Sequence, residues 1–202
     1  MRTPRLIGYA KGALAAAICC AAVTSCADAA RTGSGPSYLI IESVTAARGG
    51  GSTFTSNLQS DVQTVVNATP TTLNDLGQAS LRAQMKNALS PTAATPLNSI
   101  TIDRYRVRFR RTDGQNREGI DVPFGFDGGS TVTIPIGTAQ RVTFDLVRPQ
   151  SKLEPPLRNL INGGGLIVIS VIAEVTFYGR DQAGNEVSVT GSIDVQFGDF
   201  GD

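Results

Sequence analysis

Four arginines at alternate positions, Arg104, Arg106, Arg108 and Arg110, are the most conspicuous chemical feature of the chain, and Arg111 continues the run. In an extended strand, side chains two apart share a face, so four guanidinium groups would project together. Each presents a rigid fork of donors matched to phosphate or carboxylate. The four residues are therefore a candidate anion-binding site for lipid headgroups, lipopolysaccharide or an anionic glycan. The plainer reading is a solvated sheet face whose arginines pair with acids on neighbouring strands. Glu174, Glu186 and Asp194 fall on the polar side of later strand-like segments and could serve. Such cross-strand pairs are common and individually worth only ~0.2–1 kcal/mol, and the sequence favours this reading.

Other chemistry is thin. Asp113, Asp121, Asp127, Asp181 and Asp199 lie beside or near glycines, and Ca²⁺ would need six to eight oxygens converging from such loops. No D-x-[DN]-x-[DN]-G ladder is present, so turn chemistry is favoured and no metal site or cofactor is expected. Asn67-Ala68-Thr69 matches a glycosylation acceptor by coincidence of composition. The chain has no histidine, which excludes His-assisted triads, a His general base and His-containing metal sites. G-x-S-x-G, P-loop, G-x-G-x-x-G and Cys–His signatures are missing. A carboxylate dyad is marked by nothing. These absences point to a non-enzymatic protein with no catalytic residues. With 18 basic and 17 acidic side chains in 202 residues, there is no electrostatic footprint for nucleic acid, which is not expected as a partner.

The first residues carry a second signal. Arg2, Arg5 and Lys11 precede an apolar run, Gly12 to Val23, too short to span a bilayer. The run ends in Val23-Thr24-Ser25-Cys26, which resembles the lipobox of bacterial lipoproteins. That resemblance implies cleavage before Cys26 and acylation of Cys26 on sulfur and on the new N-terminus. Three acyl chains at ~0.8 kcal/mol per buried CH₂ anchor far more firmly than one. The alternative is ordinary secretory cleavage near Ala27-Asp28-Ala29. Ala27 rather than Asp after the lipidated cysteine implies the outer membrane as destination. Cys19 and Cys20 leave with the signal, so no disulfide is expected. Three basic side chains leave too; 15 then face 17 acidic ones, and the mature formal charge is −2.

These features need a scaffold, and the remaining sequence describes one. Residues 1–25 read as a signal peptide, 26–37 as a flexible tether and 38–202 as a single domain. A tether of about ten residues holds that domain within roughly 20 Å of the bilayer. Tyr38–Ala46 is β-rich, and Arg48–Thr53 is a glycine loop. Phe54–Val66 is ambiguous between a short helix and strand fragments. Gln78–Asn87 alternates Ala79, Leu81, Ala83 and Met85 against polar residues; its residues also suit a helix, but strand is favoured. Ser90–Pro96 breaks the chain. Thr101–Arg110 alternates Tyr105, Val107 and Phe109 against the arginines, followed by a turn at Thr112-Asp113-Gly114. Gly119–Phe126 should return, Asp127-Gly128-Gly129 should turn, and Thr131–Ile136 and Arg141–Val147 should be strands around Gly137-Thr138. Glu154–Asn162 has the Pro start and glycine stop of one short helix. Leu166–Tyr178 is the most apolar segment, with Ile167, Ile169, Val171, Ala173, Val175 and Phe177 expected inside. Asp181–Asn185 turns, and Val187–Phe197 returns in phase. Phe124, Phe126, Phe144 and Phe177 are expected in the core.

Seven or eight short strands at this spacing predict an all-β antiparallel sandwich. The stretch ITIDRYRVRFRRTDGQNREGIDVPFGFDGG, together with KLEPPLRNL and ISVIAEVTFYGRDQAGNEVSVTGSIDVQFGDF, resembles a family of uncharacterised bacterial lipoproteins with an immunoglobulin-like or C2-like β-sandwich. The likeness covers roughly Ile100 to Phe200 and is weaker from Tyr38. It implies a fold and an envelope location, and brings no activity or substrate with it. The expectation is a lipid-anchored envelope module, structural or protein-binding. Its partners would be the membrane through Cys26 and an envelope protein, with anionic lipid or glycan on the arginine face as the alternative.

Overall fold

The computed structural model describes residues 35–87 and 94–200. The expected signal segment, Cys26, most of the expected tether and most of the Ser90–Pro96 break lie outside the described residues. Among them are ten strands: β1 (Ser37–Ala47), β2 (Asn57–Asp61), β3 (Thr64–Val66), β4 (Thr69–Thr71), β5 (Asp75–Met85), β6 (Ile100–Arg110), β7 (Phe126–Ile134), β8 (Ala139–Val147), β9 (Ile169–Asp181) and β10 (Glu186–Gly198). Eight of them make a sandwich. A three-stranded sheet runs β1-β5-β8, a five-stranded sheet runs β2-β10-β9-β6-β7, and β3 and β4 form a separate hairpin. Pairing between named strands is antiparallel except where β2 runs parallel to the last part of β10. The fold is an all-β sandwich.

Strict alternation builds both layers. On β5, Ala79, Leu81 and Ala83 point into the core while Gln78, Arg82 and Gln84 point outwards, so this segment is a strand and not a helix. β6 sends Tyr105, Val107 and Phe109 inwards, β9 sends Val171, Ala173, Val175 and Phe177, and β10 sends Ile193, Val195 and Phe197. The layers interlock through aromatic rings: Phe144 of the small sheet lies 5.3 Å from both Tyr105 and Phe177 of the large one. Each such ring contributes about 1.5–3 kcal/mol by leaving water. Chain segment 54–66 resolves into strand fragments, with β2 and β3 in it.

The register sorts the connections onto two ends. At the first end β1 begins, β5 ends, β6 begins, and the β7–β8 and β9–β10 turns lie. At the opposite end lie residues 48–56, the β3–β4 hairpin, residues 111–125 and residues 148–168. We call this the loop end.

Several local expectations are corrected. Asp127-Gly128-Gly129 is the start of β7 and not a turn. Gly128 stands opposite Tyr105, and a Cβ there would fall 2.5 Å from the ring Cε1 and closer still to Cζ and Oη. Glycine is present to admit a ring, not to bend the chain. Up to Gly125, the expected Gly119–Phe126 return is accordingly no strand, and only Phe126 lies in β7. The rest belongs to a long loop curled about Arg117, whose backbone N–H and guanidinium donate to Asp121. Phe124 is half exposed and not core; its N–H donates to Glu154 Oε2 at 2.7 Å and its ring closes over Gly119. Ile167 is 59% exposed, because β9 begins only at Ile169. A four-residue helix, α1 (Pro149–Lys152), precedes the expected one, and the expected Glu154–Asn162 helix is itself only four residues long, α2 (Pro155–Arg158). Each starts with a proline, and Pro155 cannot extend α1 because it lacks an N–H and clashes with the carbonyl four residues back.

Candidate functional site

The arginine face forms as the alternation requires, with one adjustment. A bulge between Ile102 and Arg104 places Asp103 and Arg104 outside in succession, and from Tyr105 onwards every second residue faces the core. Arg104, Arg106, Arg108 and Arg110 thus lie on the outer face of the large sheet, between β7 and β9. Acids meet them from both neighbours. Arg104 donates to Asp127 Oδ1 at 3.0 Å, and its guanidinium stacks 4.0 Å from the Tyr178 ring centre. The Arg106 Nε lies 3.9 Å from Asp127 Oδ2 without a hydrogen bond. Arg110 donates to Glu174 at 3.2 Å. Arg108 is in register with Glu174 but makes no ion pair among the described residues. Of the other expected acids, Glu186 pairs with Arg180 instead, and Asp194 lies across from Ile172. Asp127, read from sequence as a turn residue, is the partner of two arginines. Two carboxylates, Asp127 and Glu174, meet three of the four arginines, and Asp103 lies outside on the same strand, so the face is largely self-paired.

The remaining turn aspartates organise loops. Asp113 holds Arg111 and the Gln115 N–H, and Asp121 holds Arg117. Burial works to raise the Asp181 carboxyl. It is outweighed by hydrogen bonds from the Asn185 side chain and from the N–H groups of Asn185 and Ala183, which hold the group below its ordinary value. Among the described residues no cluster of three or more Asp, Glu, Cys or His side chains could hold a metal ion. None of their helices is long and apolar enough to cross a membrane. Two shallow grooves flank β2. One, of about 490 Å³, has Arg48 as its single charged lining residue. The other, of about 320 Å³, has Asp194 alone. Neither brings two carboxylates together as glycoside hydrolysis needs.

The loop end holds a cluster that sequence reasoning missed. Lys152, on α1, is 1% exposed, and its Nζ lies 2.9 Å from Oδ2 of Asp75, which is 0% exposed at the start of β5. The Ser60 hydroxyl donates to the same Oδ2 at 2.6 Å, and the Gly49 N–H donates to Oδ1 at 2.7 Å. Beside them Arg48 pairs with buried Asp61 at 3.1 Å. Burial pushes the Asp75 carboxyl up and the Lys152 ammonium down, against their mutual attraction and the hydrogen bonds from Ser60 and Gly49. One signal was in the sequence. Lysine occurs only at positions 11, 86 and 152 of a chain that otherwise uses arginine.

No family model, curated protein or solved structure matches the chain.

The same end concentrates exposed apolar side chains. Of nine large hydrophobic residues exposed among the described residues, eight belong to its connections. They are Val65 and Val66 on the β3–β4 hairpin, Ile120 and Phe124, Leu153, and the consecutive Leu166, Ile167 and Val168. Leu97, at the other end, is the ninth. Left-handed backbone at Asn162, Gly164 and Gly165 turns the chain into the exposed triplet, where Leu166 is 92% accessible. Phe124 and Leu153 flank the hydrogen bond that joins their two loops.

Proposed function

We propose that the protein is a non-enzymatic cell-envelope lipoprotein whose β-sandwich is a protein-interaction module. It is anchored through Cys26, and its loop end is the contact surface. The observation that carries this reading is the segregation of exposed apolar side chains to the end opposite Ser37, where the chain from the tether joins β1. Scattered surface hydrophobics need no explanation, whereas a concentration of them marks a surface that is covered in use. The anchor is supported by residues 1–26 alone, through the basic start, the short apolar run and the Val23–Cys26 motif. The outer membrane as destination rests on Ala27, and kinship with the bacterial lipoprotein family rests on the segments quoted above. The alternative, recognition of anionic lipid or glycan by Arg104, Arg106, Arg108 and Arg110, is disfavoured by the ion pairs from Asp127 and Glu174. Arg108 is its best remaining support.

The test is site-specific photocrosslinking in intact cells, with the reactive side chain at position 167 or at position 108 of the full chain. Protein adducts specific to position 167 are expected. Adducts confined to position 108 would overturn the assignment of the contact surface. In parallel, Cys26→Ser should move the protein from the membrane to the soluble fraction, and mass spectrometry should find lipid on Cys26. An unmodified mature chain beginning after residue 26 would refute the anchor.

A further inference from the structure

The buried Lys152–Asp75 contact has the composition and geometry of a condensation site. A buried ion pair is a costly arrangement, because both ions lose water and only their mutual attraction and extra hydrogen bonds offset the loss. Arginine would be the usual choice for such a pair, and this chain uses arginine nearly everywhere else. Lysine differs in one chemical respect: without its proton it is a nucleophilic amine, a state that arginine does not reach in proteins. Here that nitrogen is held 2.9 Å from a carboxyl oxygen, with both groups shut off from solvent.

The surroundings match what amide formation requires. The Gly49 N–H donates to Asp75 Oδ1 at 2.7 Å, so it can hold the negative charge that develops on that oxygen when the carboxyl carbon is attacked. The Ser60 hydroxyl, 0% exposed, sits 2.6 Å from Oδ2, the oxygen that must leave, and can relay a proton to it. Fixing amine and acid in contact replaces a bimolecular encounter, an advantage equivalent to about 10⁵–10⁸ M in well-oriented systems. Desolvation of both groups acts in the same direction, since it favours the neutral amine and the neutral acid over the two ions.

We propose that Lys152 and Asp75 form an intramolecular isopeptide bond in the folded protein, with Ser60 and Gly49 as the assisting groups. The neutral Nζ attacks Asp75 Cγ, and the carbonyl electron pair moves onto Oδ1 against the Gly49 N–H. One Nζ proton is relayed by Ser60 to the Oδ2 hydroxyl, which departs as water while the C=O bond re-forms. One C–N bond is made and one C–O bond is broken. No electrons are gained or lost overall, and no co-reactant is needed. The product is a neutral secondary amide in place of two buried charges. It joins the start of β5 to α1 covalently, and the exclusion of water that promotes its formation also protects it from hydrolysis.

A tryptic peptide map of the full-length protein, purified from cells, denatured and digested, reads this directly. Trypsin cleaves after an unmodified Lys152 but not after an acylated one. The expected species joins the 49–82 peptide to the 142–158 peptide, with a mass one water below their sum and fragment ions placing the branch at Asp75 and Lys152. Recovery of a linear peptide ending at Lys152 and of an unjoined 49–82 peptide, with no joined species, overturns the proposal. A Lys152→Arg chain keeps the positive charge but cannot form this bond, so its map should lack the joined species. A joined species that survives this substitution would place the link elsewhere. The map interrogates the wild-type protein after denaturation, so the decisive result does not depend on any variant folding.

Discussion

Gly128→Ala tests the packing logic that sets the arginine face. The added Cβ would lie 2.5 Å from Tyr105 Cε1 and closer to Cζ and Oη, against the 3.5–4.0 Å of comfortable carbon contact. The ring has no easy retreat. It is 4% exposed and boxed in by Phe126, Phe144 and Phe177, with centroids 6.4, 5.3 and 6.4 Å away. Its hydroxyl also accepts a hydrogen bond from the Asp145 N–H at 3.2 Å. Overpacking costs about 1–3 kcal/mol, and losing that hydrogen bond adds about 1 kcal/mol. The expected loss is ~2–4 kcal/mol, or roughly a 5–10 °C fall in Tm for a domain of this size. Urea denaturation of wild type, Gly128→Ala, Tyr105→Leu and the double variant supplies the assay. Leucine removes all three atoms that the new methyl would strike, so the alanine should cost under about 0.5 kcal/mol in that background. An equal cost in both backgrounds, or no cost in the wild type, would refute the steric account.

Other outcomes follow from the same geometry. Asp127→Ala should lower stability by less than about 1 kcal/mol per exposed pair it breaks, and the loss should shrink in high salt; Arg108→Ala should change stability by less than ~0.5 kcal/mol in the same titrations. Asp181→Ala should cost about 1–2 kcal/mol at neutral pH. Because the folded protein holds this carboxyl below its ordinary value, its contribution is present above that value and is lost as pH falls below about 4. Thermal melts of wild type and variant should therefore converge in acid, and a gap that persists at pH 2–3 would contradict the turn's charge dependence. Asn67 and Ala68 both have positive φ in the two-residue β3–β4 turn, so Ala68→Gly should stabilise the protein by about 0.5–1 kcal/mol in a urea titration.

How far the sequence reveals this molecule depends on how local each feature is. The alternation of β5, β6, β9 and β10 reports burial directly, and the sandwich follows from it. The arginine face is legible for the same reason, as is Glu174 as one of its partners. Asp127 is not, because Asp-Gly-Gly carries the composition of a turn, while its purpose depends on Tyr105 more than twenty residues earlier. Ile167 reads as core by its phase with Ile169 and Val171, and only the start of β9 at Ile169 shows otherwise. The parallel seat of β2 on β10 joins segments far apart in sequence and leaves no periodic trace. Lys152 is the deepest omission. A cation in a proline-rich loop suggests solvent, and its burial depends on Asp75 and Ser60, which lie far earlier in the chain.

The placement of Ser37 at one end and of the exposed apolar loops at the other has a mechanical corollary. β9 and β10, 13 residues each, extend about 40 Å at ~3.3 Å per residue. A partner held at the loop end while the tether is held at the first end would therefore load the sandwich along its strands. Tension entering at Ser37 passes along β1, which is registered against β5 over ten residue pairs. Those backbone hydrogen bonds lie across the direction of pull and are sheared together, instead of being peeled one after another. Geometry of this kind resists force far better than a zipper does, so the arrangement that would separate the proposed anchor from the proposed contact surface would also let the domain carry tension between them.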